Sequence, residues 1–197
     1  MEIINGERLV LGTCYYPEHW DESLWRDDLR RMLENGIEVI RIAEFAWSKI
    51  ERYEGVFNYD FFDRFLDLAE EMGMKVIFCT PTATPPAWLT EKYPEVLNAN
   101  MDGVLYRHGA RRHYNYNSPK YQELTRIIVE KSASHYAKHP AIIGWQIDNE
   151  LNCEKDVFYS ESDTIAFRKF LEKKYETIDA LNAAWGTNFW NQTYNSF

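Results

Sequence analysis

Short apolar runs alternate with longer amphipathic segments along the sequence, and this alternation limits the possible folds more than any other feature. The apolar runs, rich in β-branched and aromatic residues, occupy positions 9–15, 38–43, 75–80 and 142–147. Segments with helical spacing occupy positions 22–34, 60–72, 119–139, 163–175 and 178–185. Strands that are separated by helices normally pair in parallel. The sequence therefore predicts an α/β fold in which four parallel strands each lead into a helix.

The residues between these segments agree with the predicted boundaries. Gly36, Gly73 and Gly186 each follow a helical segment, where glycine adopts the left-handed backbone conformation without steric cost. Ser118 and Pro119 begin the longest helix, since a hydroxyl group caps a helix and proline suits its first position. Residues 90–117 lack this periodicity and are predicted to form a long polar, aromatic loop. We treat residues 1–197 as one partial domain.

Two architectures contain strands and helices in this order, and the loop after the first strand distinguishes them. A doubly wound sheet normally carries a glycine-rich phosphate-binding turn there, but this sequence reads CYYPEHW. In an eight-stranded βα barrel, functional side chains stand at the carboxyl ends of the strands. Polar residues follow all four predicted strands. The sequence therefore predicts the N-terminal half, strands 1–4, of a (β/α)8 barrel.

Charge and cysteine content exclude several classes of function. The 31 acidic and 22 basic residues give a net charge of −9, whereas nucleic-acid binding requires a basic surface. No apolar stretch is long enough to span a bilayer, and the N-terminus lacks the pattern of a signal peptide. The three cysteines are far apart, which favours a reducing compartment over a disulfide framework. We expect a cytoplasmic protein without nucleic-acid or membrane partners.

The strongest local signal for chemistry is the segment WQIDNE at positions 145–150, where an apolar strand ends in polar residues. Adjacent Asn149 and Glu150 suit glycoside hydrolysis, because a glutamic acid can protonate the leaving oxygen while an amide binds a sugar hydroxyl. A surface loop that merely begins with polar residues would show the same pattern. The pair alone does not decide between these readings.

Other candidate residues have simpler explanations. His108 and His113 could bind a metal ion, but without a third ligand hydrogen bonding is the better explanation. Glu44 could be catalytic, although an ion pair with Arg41 or Arg111 is the favoured prediction. Three tryptophans could stack against sugar rings or belong to the core: Trp88, Trp185 and Trp190. Of these, Trp185 stands at a helix end and is predicted to be a core residue.

Several segments together resemble family 42 of the glycoside hydrolases, the microbial β-galactosidases. They occur in the family's order and cover nearly the whole chain: CYYPEHW, RIAEFAWSKIERYEGVFNYDFFD, TPTATPPAWL, RHGARRHYNYNSP, IIGWQIDNE and LNAAWGTNFWNQTY. The Asn-Glu pair is shared by the wider clan of retaining barrel glycosidases, whereas TPTATPPAWL and the combination of ARRHY with WQIDNE are specific to family 42. The resemblance implies hydrolysis of terminal β-D-galactosides with retention.

The resemblance also implies roles for individual residues. Glu150 would be the general acid/base, with a pKa raised by burial and by the facing nucleophile. Asn149 would bind the galactose 2-hydroxyl, and Arg111 would bind another galactose hydroxyl. Trp190 would border the sugar pocket. Family members often form trimers, so a homo-oligomer is expected.

Two departures from the family pattern carry predictions. Several members hold a zinc ion with one cysteine in an HYC segment and a cysteine cluster after the acid/base. Asn115 stands at the first position here, Ser160 and Ser162 stand where cysteines would be expected, and Cys153 alone cannot complete a four-ligand site. We therefore predict no zinc ion and no other cofactor.

The second departure concerns the nucleophile that retention requires. In the family this carboxylate follows the seventh strand, which the resemblance places beyond Phe197. This chain would then supply only the acid/base half of the site and be inactive alone. Two alternatives stay open: a non-catalytic half barrel that binds sugar or self-associates through its unpaired edge strands, and another retaining glycosidase of the same clan.

Overall fold

The computed structural model describes residues 9–109, 111–151, 153 and 156–197. Residue 110 of the predicted loop and residues 152, 154 and 155, after Glu150, lie outside the described part. The strands, in chain order, are β1 Leu11–Cys14, β2 Ile37–Ile42, β3 Glu51–Tyr53, β4 Val56–Phe57, β5 Lys75–Cys79 and β6 Ile142–Gln146. The α-helices are α1 Glu22–Glu34, α2 Trp47–Ile50, α3 Asp60–Met72, α4 Ala87–Lys92, α5 Pro119–Tyr136, α6 Glu161–Tyr175 and α7 Ile178–Trp185.

Four of the strands form one parallel sheet in the order β1-β2-β5-β6. Thr13 pairs with Ile40, Ile40 pairs with Val76, and Phe78 pairs with Trp145. Spatial order therefore follows chain order, as successive βα units of a barrel require. The short strands β3 and β4 form a separate antiparallel hairpin. Within the described residues, β1 and β6 each have one strand neighbour and are the edges of the sheet.

The core lies between this sheet and the helices that follow its strands. α3 buries Phe62, Phe65 and Leu66 against the side chains of β2 and β5 that point the same way, including Ile40 and Phe78. Because side chains alternate across a strand, every second residue of β2 and β5 contributes to this face. Full burial of one such side chain contributes about 1.5–3 kcal/mol. This face holds the strands, and therefore their carboxyl ends, in a fixed arrangement.

The structure confirms the predicted order of strands and helices and corrects several of their ends. The four strands each differ from the prediction by one to three residues, and α5 ends at Tyr136 instead of residue 139. α6 begins at Glu161, two residues earlier than predicted, because Ser160 and Asp163 form a capping box around its first turn. The bounds of α1, α3 and α7 agree with the prediction, and Gly73 and Gly186 end the last two in the left-handed conformation.

The prediction lacks three short elements, and it was wrong for one tryptophan. No sequence pattern indicates α2, the β3–β4 hairpin or α4, because pieces of two to six residues are too short to show a period. Trp185 is not a core residue in this chain, since 45% of its surface is exposed. α7 buries Leu181 instead, and the Trp185 indole donates a hydrogen bond to the Tyr175 hydroxyl. None of the described helices is long and apolar enough to cross a membrane.

Candidate active site

A cavity of about 600 Å³ opens at the carboxyl ends of the sheet strands. Its lining residues lie near the end of β2, follow β1, β2, β5 and β6, or belong to the long loop: Tyr16, Arg41, Phe45, Thr84, Arg111, Asn149 and Glu150. Of the four residues to which the resemblance assigns a role in the site, three therefore lie together, namely Arg111, Asn149 and Glu150. The carboxyl ends of parallel strands meet at one end of a barrel, which explains why residues so distant in sequence converge.

Among the described residues that line this cavity, Glu150 is the one carboxylate. Its side chain is about half exposed, and its Oε2 lies 2.6 Å from Nη1 of Arg111. The Asn149 Nδ2 donates a longer hydrogen bond, 3.4 Å, to the same oxygen. Arg111 in turn lies over the ring of Phe45, 5.7 Å from its centre. A solvent-accessible carboxyl group beside a fixed cation and an amide can exchange a proton with a ligand in the cavity.

A second, buried group of polar side chains supports the cavity from β2. Glu44 is fully buried, and its Oε1 accepts hydrogen bonds from Arg41 Nη2 at 2.8 Å and from the Tyr16 hydroxyl at 2.9 Å. The predicted ion pair between Glu44 and Arg41 is thus confirmed. Burial, together with the bond to Glu44, raises the pKa of Tyr16 to about 12. The phenol therefore stays protonated and acts as a donor at neutral pH.

Asp148 organises the turn that presents the Asn149–Glu150 pair. Its Oδ1 accepts bonds from the Asn149 backbone N–H at 2.6 Å and from Arg112 Nη1 at 3.0 Å. Its Oδ2 accepts from the Thr82 hydroxyl at 2.7 Å, and its own N–H donates to Thr80 Oγ1 at 2.7 Å. No sequence pattern assigns a role to Asp148 or Arg112. The only signal was that a carboxylate so close to a buried strand needs partners.

The backbone of this turn is in an unusual conformation. Asp148 and Glu150 have φ values of 54° and 44°, and Ala43 and Arg112, which flank the same region, have φ values of 76° and 66°. Non-glycine residues adopt this left-handed region at a cost of about 1–3 kcal/mol each, so surrounding contacts must hold them there. Such residues cluster at functional sites, and here they surround the cavity that contains Glu150.

Other candidate residues lie elsewhere. His108 shares a 3.0 Å hydrogen bond with the Thr90 hydroxyl, and its ring meets that of His113 edge-on at 4.7 Å. Neither histidine belongs to a potential metal-binding group among the described residues. The half-buried Trp88 donates its indole N–H to the Glu51 carbonyl, which indicates a structural role. Trp190 is 79% exposed and does not line the cavity in this chain.

The positions that the resemblance links with a zinc ion, Asn115, Ser160 and Ser162, meet in space here, and hydrogen bonds join them. Asn115 is fully buried, and its Nδ2 donates to Ser160 Oγ, to Ser162 Oγ at 2.7 Å and to Asp163 Oδ2 at 2.8 Å. An amide, two hydroxyl groups and one carboxylate replace the thiolates that a structural zinc site uses. This donor set does not fit a structural zinc ion.

Removing this amide should destabilise the chain. Asn115→Ala would remove a buried donor that Ser160 and Asp163 share, and we expect the free energy of unfolding to fall by about 1–3 kcal/mol. Urea unfolding followed by circular dichroism measures this, with the exposed Asn188→Ala as the control. A chelator should leave the unfolding of the unsubstituted chain unchanged. A neutral Asn115→Ala variant, or a clear chelator effect, would contradict this account.

Glu18, in the turn Pro17–His19 after β1, lines a separate cavity of about 840 Å³ beside the first turns of α1 and α3. Its Oε2 is buried and has no hydrogen-bond partner among the described residues. Burial raises the pKa of this carboxyl above its usual value of 4.5. Its stabilising contribution is thus complete below pH 4.5 and is lost as the pH rises through the folded-state pKa.

Glu18→Gln removes this ionisation and should therefore stabilise the chain at neutral pH only. We expect its midpoint of thermal unfolding to exceed that of the unsubstituted chain by about 2–4 °C at pH 7, which corresponds to roughly 1 kcal/mol. At pH 4 the two midpoints should coincide. Thermal unfolding at both pH values, with exposed Glu95→Gln as the control, measures the difference. A lower midpoint at pH 7 would show that the Glu18 carboxylate is stabilising.

Comparisons with known proteins agree with this geometry. The family model described as beta-galactosidase, for glycoside hydrolase family 42, matches residues 14–197. The chain is 46% identical over 189 residues to a β-galactosidase of Thermus thermophilus, covering 95% of this chain and 29% of that protein. It is 44% identical over 188 residues to a β-galactosidase of Halorubrum lacusprofundi, covering 95% of this chain and 27% of that protein. The chain thus spans less than a third of these relatives.

Solved structures show the same relationship. The β-galactosidase of Marinomonas ef1 superposes with a TM-score of 0.92 at 44% identity, covering 95% of this chain and 29% of that one. The β-galactosidase of Bacillus circulans sp. alkalophilus gives a TM-score of 0.90 at 32% identity, covering 96% of this chain and 28% of that one. A β-amylase of Paenibacillus polymyxa, with a TM-score of 0.64 at 17% identity, shares the fold alone. The chain belongs to the β-galactosidase family 42 of glycoside hydrolases, and its four-stranded sheet is the N-terminal part of that family's TIM barrel.

Proposed function

We propose that this chain supplies the acid/base half of the active site of a retaining β-galactosidase that cleaves terminal β-D-galactosides. The observation that carries the proposal is the position of Glu150, the one carboxylate that lines the cavity in the described part of the chain, between Arg111 and Asn149. Glu150 protonates the glycosidic oxygen as the bond breaks and then removes a proton from the attacking water. Members of family 42 that carry the name β-galactosidase support the choice of sugar.

Arg111 and Asn149 are proposed to bind galactose hydroxyl groups beside the reacting carbon. Both line the cavity and contact Glu150, so a sugar held by their donors lies within reach of the acid. Trp190 is proposed to border the sugar, on the strength of the NFW segment and its exposed ring. Its placement against the cavity would need a different arrangement of the segment around the short helical turn Phe189–Asn191.

Retention requires a second carboxylate about 5–5.5 Å from the first. Glu44 is not suited to this role, because it is fully buried and already accepts bonds from Arg41 and Tyr16. No other carboxylate lines the cavity within the described residues. We therefore place the nucleophile on a later strand of the barrel, as the family resemblance implies. We expect the reaction to need no metal ion or other cofactor.

The sugar preference can be tested with a panel of nitrophenyl glycosides. The panel is assayed with the 197-residue chain and with a chimera in which residues 14–197 replace the matching segment of the Thermus thermophilus relative. We expect the chimera to hydrolyse the β-galactoside at least about tenfold faster than the β-glucoside, β-mannoside and α-arabinoside, and the chain alone to be inactive. Equal rates would favour another activity of the clan. Activity of the chain alone would show that it contains a nucleophile.

Assembly and location are proposed from other features. A homo-oligomer is proposed from the family resemblance, which implies a trimer. The second candidate function is a non-catalytic half barrel that self-associates, because the edge strands β1 and β6 each have one neighbour within the described part. A chain that is monomeric by light scattering at micromolar concentration would exclude self-association.

All three cysteines are free, which supports a cytoplasmic location. The net charge of −9 supports the absence of a nucleic-acid partner.

A further inference from the structure

A continuous line of hydrogen bonds runs from β2 to the proposed acid/base through Gln146, the last residue of β6. Arg41 Nη1 donates to Gln146 Oε1 at 3.0 Å. Gln146 Nε2 donates to Asn149 Oδ1 at 3.2 Å and to the Asp148 carbonyl at 2.8 Å. Asn149 Nδ2 then faces Glu150 Oε2. Neither Gln146 nor Arg41 has a role in the proposed proton transfer itself.

The order of donors and acceptors along this line follows from chemistry. The two ends of a side-chain amide have similar size, so its orientation is set by its partners. A guanidinium can only donate, and Gln146 must therefore turn its oxygen toward Arg41 and its NH₂ group toward Asn149. The Asp148 carbonyl, which can only accept, requires the same orientation of Gln146. Asn149 must then direct its oxygen to Gln146 and its NH₂ group to the cavity.

Arg41 is itself held in place by Glu44, which Tyr16 fixes in turn. Glu44 accepts from its Nη2 at 2.8 Å, and Tyr16 donates to the same carboxylate oxygen at 2.9 Å. Because Glu44 is fully buried and Asn149 and Asp148 are nearly so, water competes little with these bonds. The orientation of an amide in the cavity is thus determined by an ion pair at the end of β2 whose carboxylate is fully buried.

We propose that Gln146, oriented by Arg41, is a positioning residue that fixes the Asn149 amide with its donor toward Glu150 and the ligand. The cavity then offers a donor, and the sugar oxygen bound there acts as an acceptor. That this oxygen belongs to a galactoside rests on the proposed function, whereas the orientation of the amide is a property of the chain itself. Gln146 and Arg41 thereby help to determine which ligand groups the site accepts.

The orientation can be measured by NMR on the isotopically labelled 197-residue chain without any ligand. We expect the Asn149 side-chain NH₂ protons to show stronger nuclear Overhauser effects to the Glu150 side chain than to Gln146. In Gln146→Glu, the carboxylate cannot donate, so Asn149 should turn its NH₂ group toward residue 146 and the relative intensities should reverse. Arg41→Lys keeps a donor and should preserve the original pattern, whereas Arg41→Met leaves the Asp148 carbonyl to orient Gln146 and should reduce the difference between the two intensities without reversing it.

Gln122→Glu is the matched control, because the Gln122 side chain is exposed and bonds only to the Tyr116 carbonyl among the described partners. Stronger effects to Gln146 in the unsubstituted chain would overturn the proposal. An unchanged pattern in a folded Gln146→Glu variant would do the same. The pattern in the unsubstituted chain decides the orientation even if a variant does not fold. Since no hydrolysis is measured, failure of this proposal is distinguishable from failure of the proposed activity.

Discussion

Glu150→Gln in the chimera is expected to lower the rate of lactose hydrolysis by about 10²–10⁴-fold, the usual contribution of general acid/base catalysis. Glutamine has nearly the shape of glutamic acid and retains an oxygen that Arg111 can contact, but it cannot deliver a proton. The first step should depend on the leaving group. A sugar leaves poorly without protonation, whereas dinitrophenolate leaves readily as an anion. Formation of the glycosyl intermediate from dinitrophenyl galactoside should therefore be much less impaired than that from lactose.

Comparison of kcat/KM for the two substrates isolates this first step. Glu91→Gln is the matched control, because Glu91 lies exposed in α4, does not line the cavity and should leave both rates unchanged. Equal losses on both substrates would assign Glu150 to ligand binding or folding. Full activity on lactose would remove Glu150 from the mechanism altogether. A selective loss on lactose would assign the proton transfer to the carboxyl group that the structure places in the cavity.

The regular part of the fold was predictable because it depends on local patterns. α3 and α7 were predicted with their observed bounds, since each has a helical period and ends at a glycine in the left-handed conformation. α6 was predicted two residues short because Asp163 reads as a first residue, whereas its side chain reaches back to the N-cap Ser160. The β3–β4 hairpin was missed because strands of two and three residues have no recognisable alternation.

Among the residues of the site, only some that line the cavity could be predicted, and those that support them from behind could not. Asn149 and Glu150 follow an apolar strand, and with Arg111 they match a family pattern, so their convergence could be expected. The bond between Arg112 and Asp148 joins residues 36 positions apart and depends on the left-handed backbone at both. No periodicity encodes such a contact. Trp185 shows the opposite error, since a residue predicted to be buried is exposed. A single tryptophan in a sequence does not indicate whether other residues pack against it.

Asp148→Asn is expected to lower the free energy of unfolding of the 197-residue chain by about 3–5 kcal/mol. Arg112 is 1% exposed, and its Nη1 donates to Asp148, to the Tyr114 hydroxyl and to the Tyr116 hydroxyl. Asparagine tolerates the left-handed conformation of residue 148, so the substitution removes the charge and leaves the backbone preference nearly unchanged. The guanidinium would then remain buried without a counter-charge, which costs more than the loss of one hydrogen bond.

A double-mutant cycle separates the buried charge from general damage. Adding Arg112→Met to Asp148→Asn removes the uncompensated cation, so the double variant should be less destabilised than the sum of the two single variants. The exposed pair Arg26–Glu71, with side chains 59% and 62% exposed, is the control, and Arg26→Met should cost less than about 1 kcal/mol. Urea unfolding measures all four free energies. A loss below 1 kcal/mol for Asp148→Asn, or strict additivity in the cycle, would show that Asp148 does not compensate Arg112 and that other contacts hold the turn carrying Glu150.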